Sequence, residues 1–504
     1  MVADRKKRML VIGMDSLPPV VVEKFMSEGL LPSFSRLCDD SVSFGTINPP
    51  NLSETVWPNY FTASGPGHHG RYFNSQIVPG TYKTREFDNK TLRVDPYWRA
   101  LSDAGRRVFI VDVPKSYALD GLNGVQVANW ANHDQEKDAG FETWPIDYKR
   151  RLITDYGPDP VSPDDFGGNG PADQAVFADA LVSNIKRKTR LLLDQMMTEG
   201  WDHGLFVYDD AHPVCHYAWH LHDPEHPDHN SELAATIGDP IKRTCLALDD
   251  ALGQIMARLD ASTQLLVFLS HGIGPAYHAS YIVDEILRRF QGAPRARGKP
   301  VNYLRGLWRG IPVRFHDRLL ALQNVARNML LEPDRRRRMA FALPAADDAG
   351  AIRINLVGRE RHGLVEPGQA LDDYCDLLAS QFRSVVNADT GNPIVADVVR
   401  VSDYCSGPQL DCLPDLIVKW VGSEPIRAVT APGIGTVELP PRNSRKGSHT
   451  EAGMLSVYRQ GQGPTRFPDP IRLIDIAPSL CAVHGVTLPQ VEGHPVSALV
   501  DALN

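Results

Sequence analysis

The run Tyr208-Asp209-Asp210-Ala211-His212-Pro213-Val214-Cys215-His216 places two imidazoles four residues apart. In a helix that spacing puts both on one face, where their nitrogens can share one metal ion. His220 and His222 follow closely, so a histidine-rich surface helix is the plain alternative. Asp209 and Asp210 suit outer partners that orient the histidines, or Asp210 suits a ligand itself. Asp15 comes directly after the apolar run Met9 to Met14, where a carboxylate offers hard oxygen donors to a divalent cation; taken alone it would serve equally as a loop cap. Ser270-His271-Gly272 and Lys446-Gly447-Ser448-His449 add two isolated histidines, each also compatible with a structural role. The stretch Asn51-Leu52-Ser53-Glu54-Thr55, continuing through Trp57 to Ser64-Gly65-Pro66-Gly67-His68-His69-Gly70 and Asn74, is rich in hydroxyls and glycine. A hydroxyl in a turn beside a metal becomes an activated nucleophile because coordination stabilises the alkoxide; a glycine-rich helix cap is the alternative. Arg442, Arg445 and Lys446 would attract an anionic substrate, or are ordinary exposed loop bases.

Something must hold these residues in place. Met9 to Gly13, Arg107 to Val111, Gly204 to Tyr208 and Leu265 to Leu269 are short apolar, β-branched runs, each closed by polar residues. Between and after them lie amphipathic segments of crossover length, Ala172 to Met197, Pro240 to Leu259 and Leu371 to Phe382. The alternation predicts an α/β fold with a largely parallel central sheet between helices. In such sheets ligands bind beyond the carboxyl ends of strands, and Asp15, Asp209 to His216 and Ser270 to His271 all stand at such ends. Residues 288–345 are arginine-rich, including Arg335 to Arg338, and are expected to form a helical cap insertion within one catalytic domain spanning 1–504. The arginine run itself is expected to be a solvated helix face. Further insertions are expected at Tyr82 to Asp95 and Ala131 to Asp173.

At 504 residues and 42% hydrophobic content the chain can bury a large core. Its 61 acidic against 53 basic residues, a formal charge of -8, disfavour a nucleic-acid polymer or an anionic membrane as partner while leaving room for a local basic pocket. No run approaches the roughly 18 to 20 apolar residues of a membrane helix. The apolar stretch after the basic N-terminal residues is too short for a signal segment, so a cytoplasmic location is expected. Seven cysteines lack CxxC spacing, which argues against a zinc ribbon or a disulfide framework and predicts reduced, mostly buried thiols. The oligomeric state stays open; a homo-oligomer is compatible with all of this.

In their order and spacing these segments resemble the alkaline phosphatase superfamily, in particular its phosphodiesterase and nucleotide pyrophosphatase branch. That branch has Asp after the first strand, then a Thr or Ser nucleophile ahead of an aromatic, T-G, P-G-x-H-G loop. Thr62-Ala63 stands where T-G is usual, and Pro66-Gly67-His68-His69-Gly70 follows. Counting back, the nucleophile position falls on Ser53, with Thr55 as the fallback if the register slips. Counting forward, Asn74 falls where the branch carries an asparagine that holds a phosphoryl oxygen, a role suited to an amide donor. Asn355-Leu356-Val357-Gly358-Arg359-Glu360, Leu413-Pro414-Asp415, Ile474 to Leu480 and Glu492-Gly493 extend the resemblance to about Leu499. It implies an alkaline-phosphatase-like sandwich with inserted cap segments.

The resemblance also implies two metal sites. One would use His212, His216 and His449; here His212 replaces the usual Asp. The other would use Asp15, Ser53, Ser270 and His271; here Ser270 replaces Asp. Each replacement exchanges an anionic donor for a neutral one, which weakens the second site and makes the first a three-histidine site suited to zinc, with iron or manganese also usable. One ion or two therefore remain open. The leading expectation is hydrolysis of a phosphoric ester, a phosphodiester or nucleotide-like small anion, with Ser53 attacking phosphorus. The alternative is a one-metal enzyme acting on a non-phosphate substrate, and the third a non-catalytic binding protein.

Overall fold

The computed structural model describes residues 8–50, 52–131, 140–158, 171–198, 200–293, 328–329, 331–440 and 445–504. Most of the expected arginine-rich insertion, the middle of the one at Ala131 to Asp173, and Arg442 lie outside these residues. The chain forms two compact units, one from 1–65, 89–276 and 443–504, the other from 66–88 and 277–442.

The first unit is built on a ten-stranded sheet. Its centre is five parallel strands in the order Thr263–Leu269, Arg8–Met14, His203–Tyr208, Val108–Val111 and Gly124–Ala128. Gly453–Tyr458 and Glu142–Trp144 join antiparallel on either side of these. The α/β expectation holds, and the four strands read from apolar runs are all present. The helices Pro171–Met196 and Pro240–Met256 match their predicted spans to within a few residues. Strands buried on both faces alternate their packing partners with period two. Leu10, Ile12 and Met14 face one core with Leu252, Ile255 and Phe25. Phe268, on the opposite face, meets Trp57 and Tyr60 at ring separations of 5.5 and 5.3 Å. Gly13 is required there: a Cβ on it would stand 2.6 Å from the Trp57 ring.

Register decides what the sheet presents. Met14 pairs with Leu269 on one side and Tyr208 on the other, so Ser270, Asp15 and Asp209 emerge level at the carboxyl edge of three adjacent strands.

The second unit holds an antiparallel sheet in the order Ala340–Leu343, Ala349–Ile354, Leu416–Trp420 and Val395–Arg400, packed with helix Gln369–Arg383. Its motif-like stretches are explained by charge pairing. Arg359 reaches both oxygens of Asp415 at 2.6 and 2.8 Å, and Glu360, itself buried, binds Arg353 and the Leu356 amide. Such bidentate pairing pins the loop after Ile354 to the strand at Leu416. The arginine run departs from expectation: Arg336 and Arg337 are exposed, but Arg335 and Arg338 are buried. Arg338 pairs with Asp284, and Arg335 donates to the Tyr82 carbonyl. Buried partners, absent from any reading of local charge, turned half of a surface stripe inward.

Among the described residues no disulfide joins the seven cysteines, and Cys215, Cys245, Cys375, Cys405 and Cys481 are buried, as expected. No described helix is long and apolar enough to cross a membrane.

Candidate metal centre

The helix Ala211–His222 follows directly on the strand His203–Tyr208 and is mostly buried, so the surface-helix alternative does not hold. His212 and His216 share one face, as their spacing requires, and their rings lie 4.8 Å apart. That face meets a two-stranded ribbon in which Gly272–Pro275 pairs with Gly447–Thr450 and His449 lies opposite Ile273. The ribbon approaches closely because residue 447 is glycine: a Cβ there would lie 2.3 Å from the Cys215 carbonyl oxygen. The Gly447 carbonyl accepts from His216 Nδ1 at 2.7 Å, and the Lys446 amide donates to the His216 carbonyl at 2.6 Å. Two histidines from a helix and one from a distant ribbon thus converge, with ring centroids 4.6 to 4.8 Å apart.

The tautomers follow from the hydrogen bonds. His216 uses Nδ1 on Gly447, and His212 uses Nδ1 on Asp15 Oδ2 at 2.7 Å, which leaves Nε2 on each as the coordinating nitrogen. His216 Nε2 stands 3.1 Å from His449 Nε2. Nitrogens bound at 2.0–2.1 Å in a tetrahedral zinc site are about 3.4 Å apart. The ligand atoms of the three residues all lie within 4.8 Å of one another, and they are the one such group among the described residues. Burial, reinforced by His271, His216, His212 and Arg445, holds the His449 imidazole well below its ordinary range, in the neutral form that ligates. Its Nδ1 is buried with no hydrogen-bond partner among the described residues. The donor set fits a divalent cation.

Beside this cluster Asp15, Ser270 and His271 form a hydrogen-bonded network. Asp15 is buried, and its Oδ1 accepts from the Trp57 indole at 2.7 Å and from Ser270 Oγ at 3.0 Å. His271 has Ser270 Oγ 3.0 Å from Nδ1 and Ser16 Oγ 3.0 Å from Nε2, and its ring stacks on His449 at 4.8 Å. Ser16, in a left-handed conformation with φ 55°, also donates its amide to Ser270 Oγ. Trp57 and Ser16 were missed in the sequence. The aromatic after Ser53 belongs to the resembled pattern, but neither its position nor that of Ser16 says what the side chain bonds.

Ser53 opens a short 3-10 turn, Ser53–Thr55, that runs into helix Val56–Thr62. Thr55 is fully buried; its hydroxyl donates to the Leu52 carbonyl at 2.8 Å and accepts from Asn48 at 3.0 Å, which commits it to the turn. Ala63, standing where glycine is usual, has the positive φ (52°) that glycine would favour, and its carbonyl receives the Gly493 amide at 2.9 Å. Asn74 belongs to the second unit, where its Oδ1 accepts from Arg71. In that unit His69 is buried; burial first, then Arg71, lowers its pKa to about 3, and its Nδ1 accepts the Arg71 amide. It is a neutral structural residue.

Asp209 and Asp210 turn toward helix Pro171–Met196. Asp209 Oδ1 accepts from Lys188 Nζ at 3.0 Å, and Asp210 Oδ1 from Asn184 at 2.8 Å. Lys446 Nζ pairs with Asp228 at 2.9 Å. His222 pairs with Asp239 at 2.6 Å.

No protein-family model matches the chain, and no curated protein does. Solved structures are similar. A phosphonoacetate hydrolase from Sinorhizobium meliloti 1021, in complex with phosphonoformate, shares 16% identity at a TM-score of 0.47 over 94% of each chain. The murine ectonucleotide pyrophosphatase / phosphodiesterase 5, an inactive form in complex with AMP, shares 12% at 0.49 over 99% of this chain and 100% of that one. The human counterpart shares 11% at 0.47 with the same coverage. Nothing about fold, substrate or mechanism rests on these likenesses.

Proposed function

We propose that this chain is a metal-dependent hydrolase of phosphoric esters, acting on a small anionic phosphodiester or nucleotide-like substrate with Ser53 as nucleophile. One observation carries the reading. Trp57, one helical turn after Ser53, donates its indole N–H to the carboxylate that holds His212 of the three-histidine cluster, so the segment opened by Ser53 is fastened to the metal-binding floor.

His212, His216 and His449 would hold the ion, zinc by preference for a neutral three-imidazole set, with iron or manganese also usable. When bound, the ion supplies positive charge that polarises a phosphoryl oxygen. Ser53 Oγ attacks phosphorus as its proton passes to solvent; the bond to the leaving oxygen breaks and that oxygen takes up a proton from solvent; water then cleaves the phosphoseryl ester, one of its protons restoring the Ser53 hydroxyl. The resemblance also implies an amide donor at Asn74, which belongs to the second unit and whose Oδ1 accepts from Arg71; no step here is assigned to it. A cytoplasmic location belongs to the same reading.

The test is turnover of aryl phosphodiesters, aryl phosphomonoesters and a phosphonate by the zinc-loaded protein, with and without Ser53→Ala. The variant is expected to lose at least about a thousandfold in kcat. Full activity in Ser53→Ala would eliminate the phosphoseryl route. No turnover of any of these esters by the unaltered zinc-loaded protein would instead favour a second reading, a one-metal enzyme acting on a non-phosphate bond, which draws support from the hydrogen bonds that already engage Asp15.

A further inference from the structure

We infer that Asp15 is a positioning residue and not a metal ligand, and that the chain takes a single divalent cation, at His212, His216 and His449. The inference rests on the metal-binding reading above and departs from the two-site pattern that the motif resemblance implies.

The geometry around Asp15 carries it. A carboxylate that ligates a metal directs an oxygen lone pair at the ion, and Asp15 has both oxygens engaged by protein donors. Oδ2 is 2.7 Å from His212 Nδ1, while Oδ1 takes the Trp57 indole at 2.7 Å and the Ser270 hydroxyl at 3.0 Å. The Trp57 indole is a donor only and can do nothing at that distance except pair with an acceptor. The Asp15 amide is bonded to the Tyr208 carbonyl at 2.8 Å, which fixes the residue at the strand edge beside the helix that bears His212.

The second position is also short of donors. Ser270 brings a neutral hydroxyl where the resemblance implies a carboxylate, and that hydroxyl donates to Asp15. Both nitrogens of His271 have serine hydroxyls at 3.0 Å. A second cation would have to displace this network and would gain a single anionic ligand in return.

What Asp15 does instead is set the tautomer of His212. By accepting from Nδ1–H it keeps the proton off Nε2, fixes the ring plane and raises the basicity of the coordinating nitrogen. Gly447 does the same for His216 through its carbonyl. His212 and Ser270 are thus linked through Asp15, whose carboxylate orients the one and accepts from the other.

The test is titration of the metal-free full chain with cobalt(II) and with zinc, read by elemental analysis after desalting and by the visible cobalt spectrum. The protein is expected to bind one ion per chain with the intense bands of a tetrahedral site. Asp15→Asn should still bind one ion, about 10- to 100-fold more weakly and with an altered cobalt spectrum. Ser270→Asp should gain a second ion, a readout that does not depend on the folding of the Asp15 variant. Two ions in the unaltered protein, falling to one in Asp15→Asn, would overturn the inference and leave the hydrolase reading intact. Unchanged affinity and spectrum in Asp15→Asn, or a single ion in Ser270→Asp, would also overturn it. No ion bound by the unaltered protein would remove the proposed function together with the inference.

Discussion

The indole of Trp57 donates to Oδ1 of Asp15 at 2.7 Å, across a sheet edge where the strand residue before them, Gly13, has no side chain to keep the ring away. A hydrogen bond to a buried carboxylate contributes about 1.5–3 kcal/mol. It joins the helix after Ser53 to the aspartate that orients His212. Trp57→Phe keeps the ring packing against Phe268 and removes only the N–H. We expect this variant to lose roughly 10- to 100-fold in kcat/KM while melting within a few degrees of the parent. Steady-state kinetics and a thermal melt on the same sample check it; activity equal to the parent would show that the tie does not matter to the site.

Lys188 lies fully buried, 3.0 Å from Asp209 and 3.3 Å from Asp112. Burial works against its charge, but Asp209, Asp112 and Asp210 outweigh that and hold its pKa above the ordinary range. Burial also pushes the Asp112 carboxyl up, against the pull of Lys188. Removing the cation leaves buried carboxylates uncompensated, which costs about 3–5 kcal/mol. Lys188→Met should therefore shift the urea midpoint sharply down, and adding Asp112→Asn should recover part of the loss. A single variant as stable as the parent would mean that the cluster is held by other contacts.

Several buried histidines set a pH limit. Burial first of all lowers the pKa of His69 to about 3 and of His220 and His484 to about 4, and takes His203 well below its ordinary value. In the unfolded chain these groups titrate near about 6.5. Between that value and the folded ones the unfolded state binds more protons, so stability is full above about pH 6.5 and is lost as pH falls toward 4. Carboxylates contribute mainly below that window. Melting temperature followed from pH 7.5 to 4 in the presence of a chelator should decline steadily below about 6.5; a level profile down to pH 4.5 would contradict the neutral burial of these rings.

Much of the chemistry was legible in one dimension. Strands at Met9, Gly204 and Leu265 announce themselves because a sheet buried on both faces needs continuous apolar runs, and Asp15, His212, His216 and Ser270-His271 sit at the ends of those runs or just beyond them. The i, i+4 spacing of His212 and His216 is a property of any helix, so their shared face needed no tertiary information. That the Thr55 hydroxyl is bonded to Leu52 and Asn48 is visible only in three dimensions. The direction of Asp15 is the same kind of fact. A carboxylate at a strand end reads equally as a ligand or as an orienting base, and its partners, Trp57, Ser270 and His212, come from three separate stretches of chain. Which residue types arrive at the sheet edge follows from local pattern, since periodicity and strand ends are local. Which lone pair each of them spends on a neighbour is set by the folded chain, because hydrogen-bond direction depends on groups about 200 residues or more apart being brought within about 3 Å.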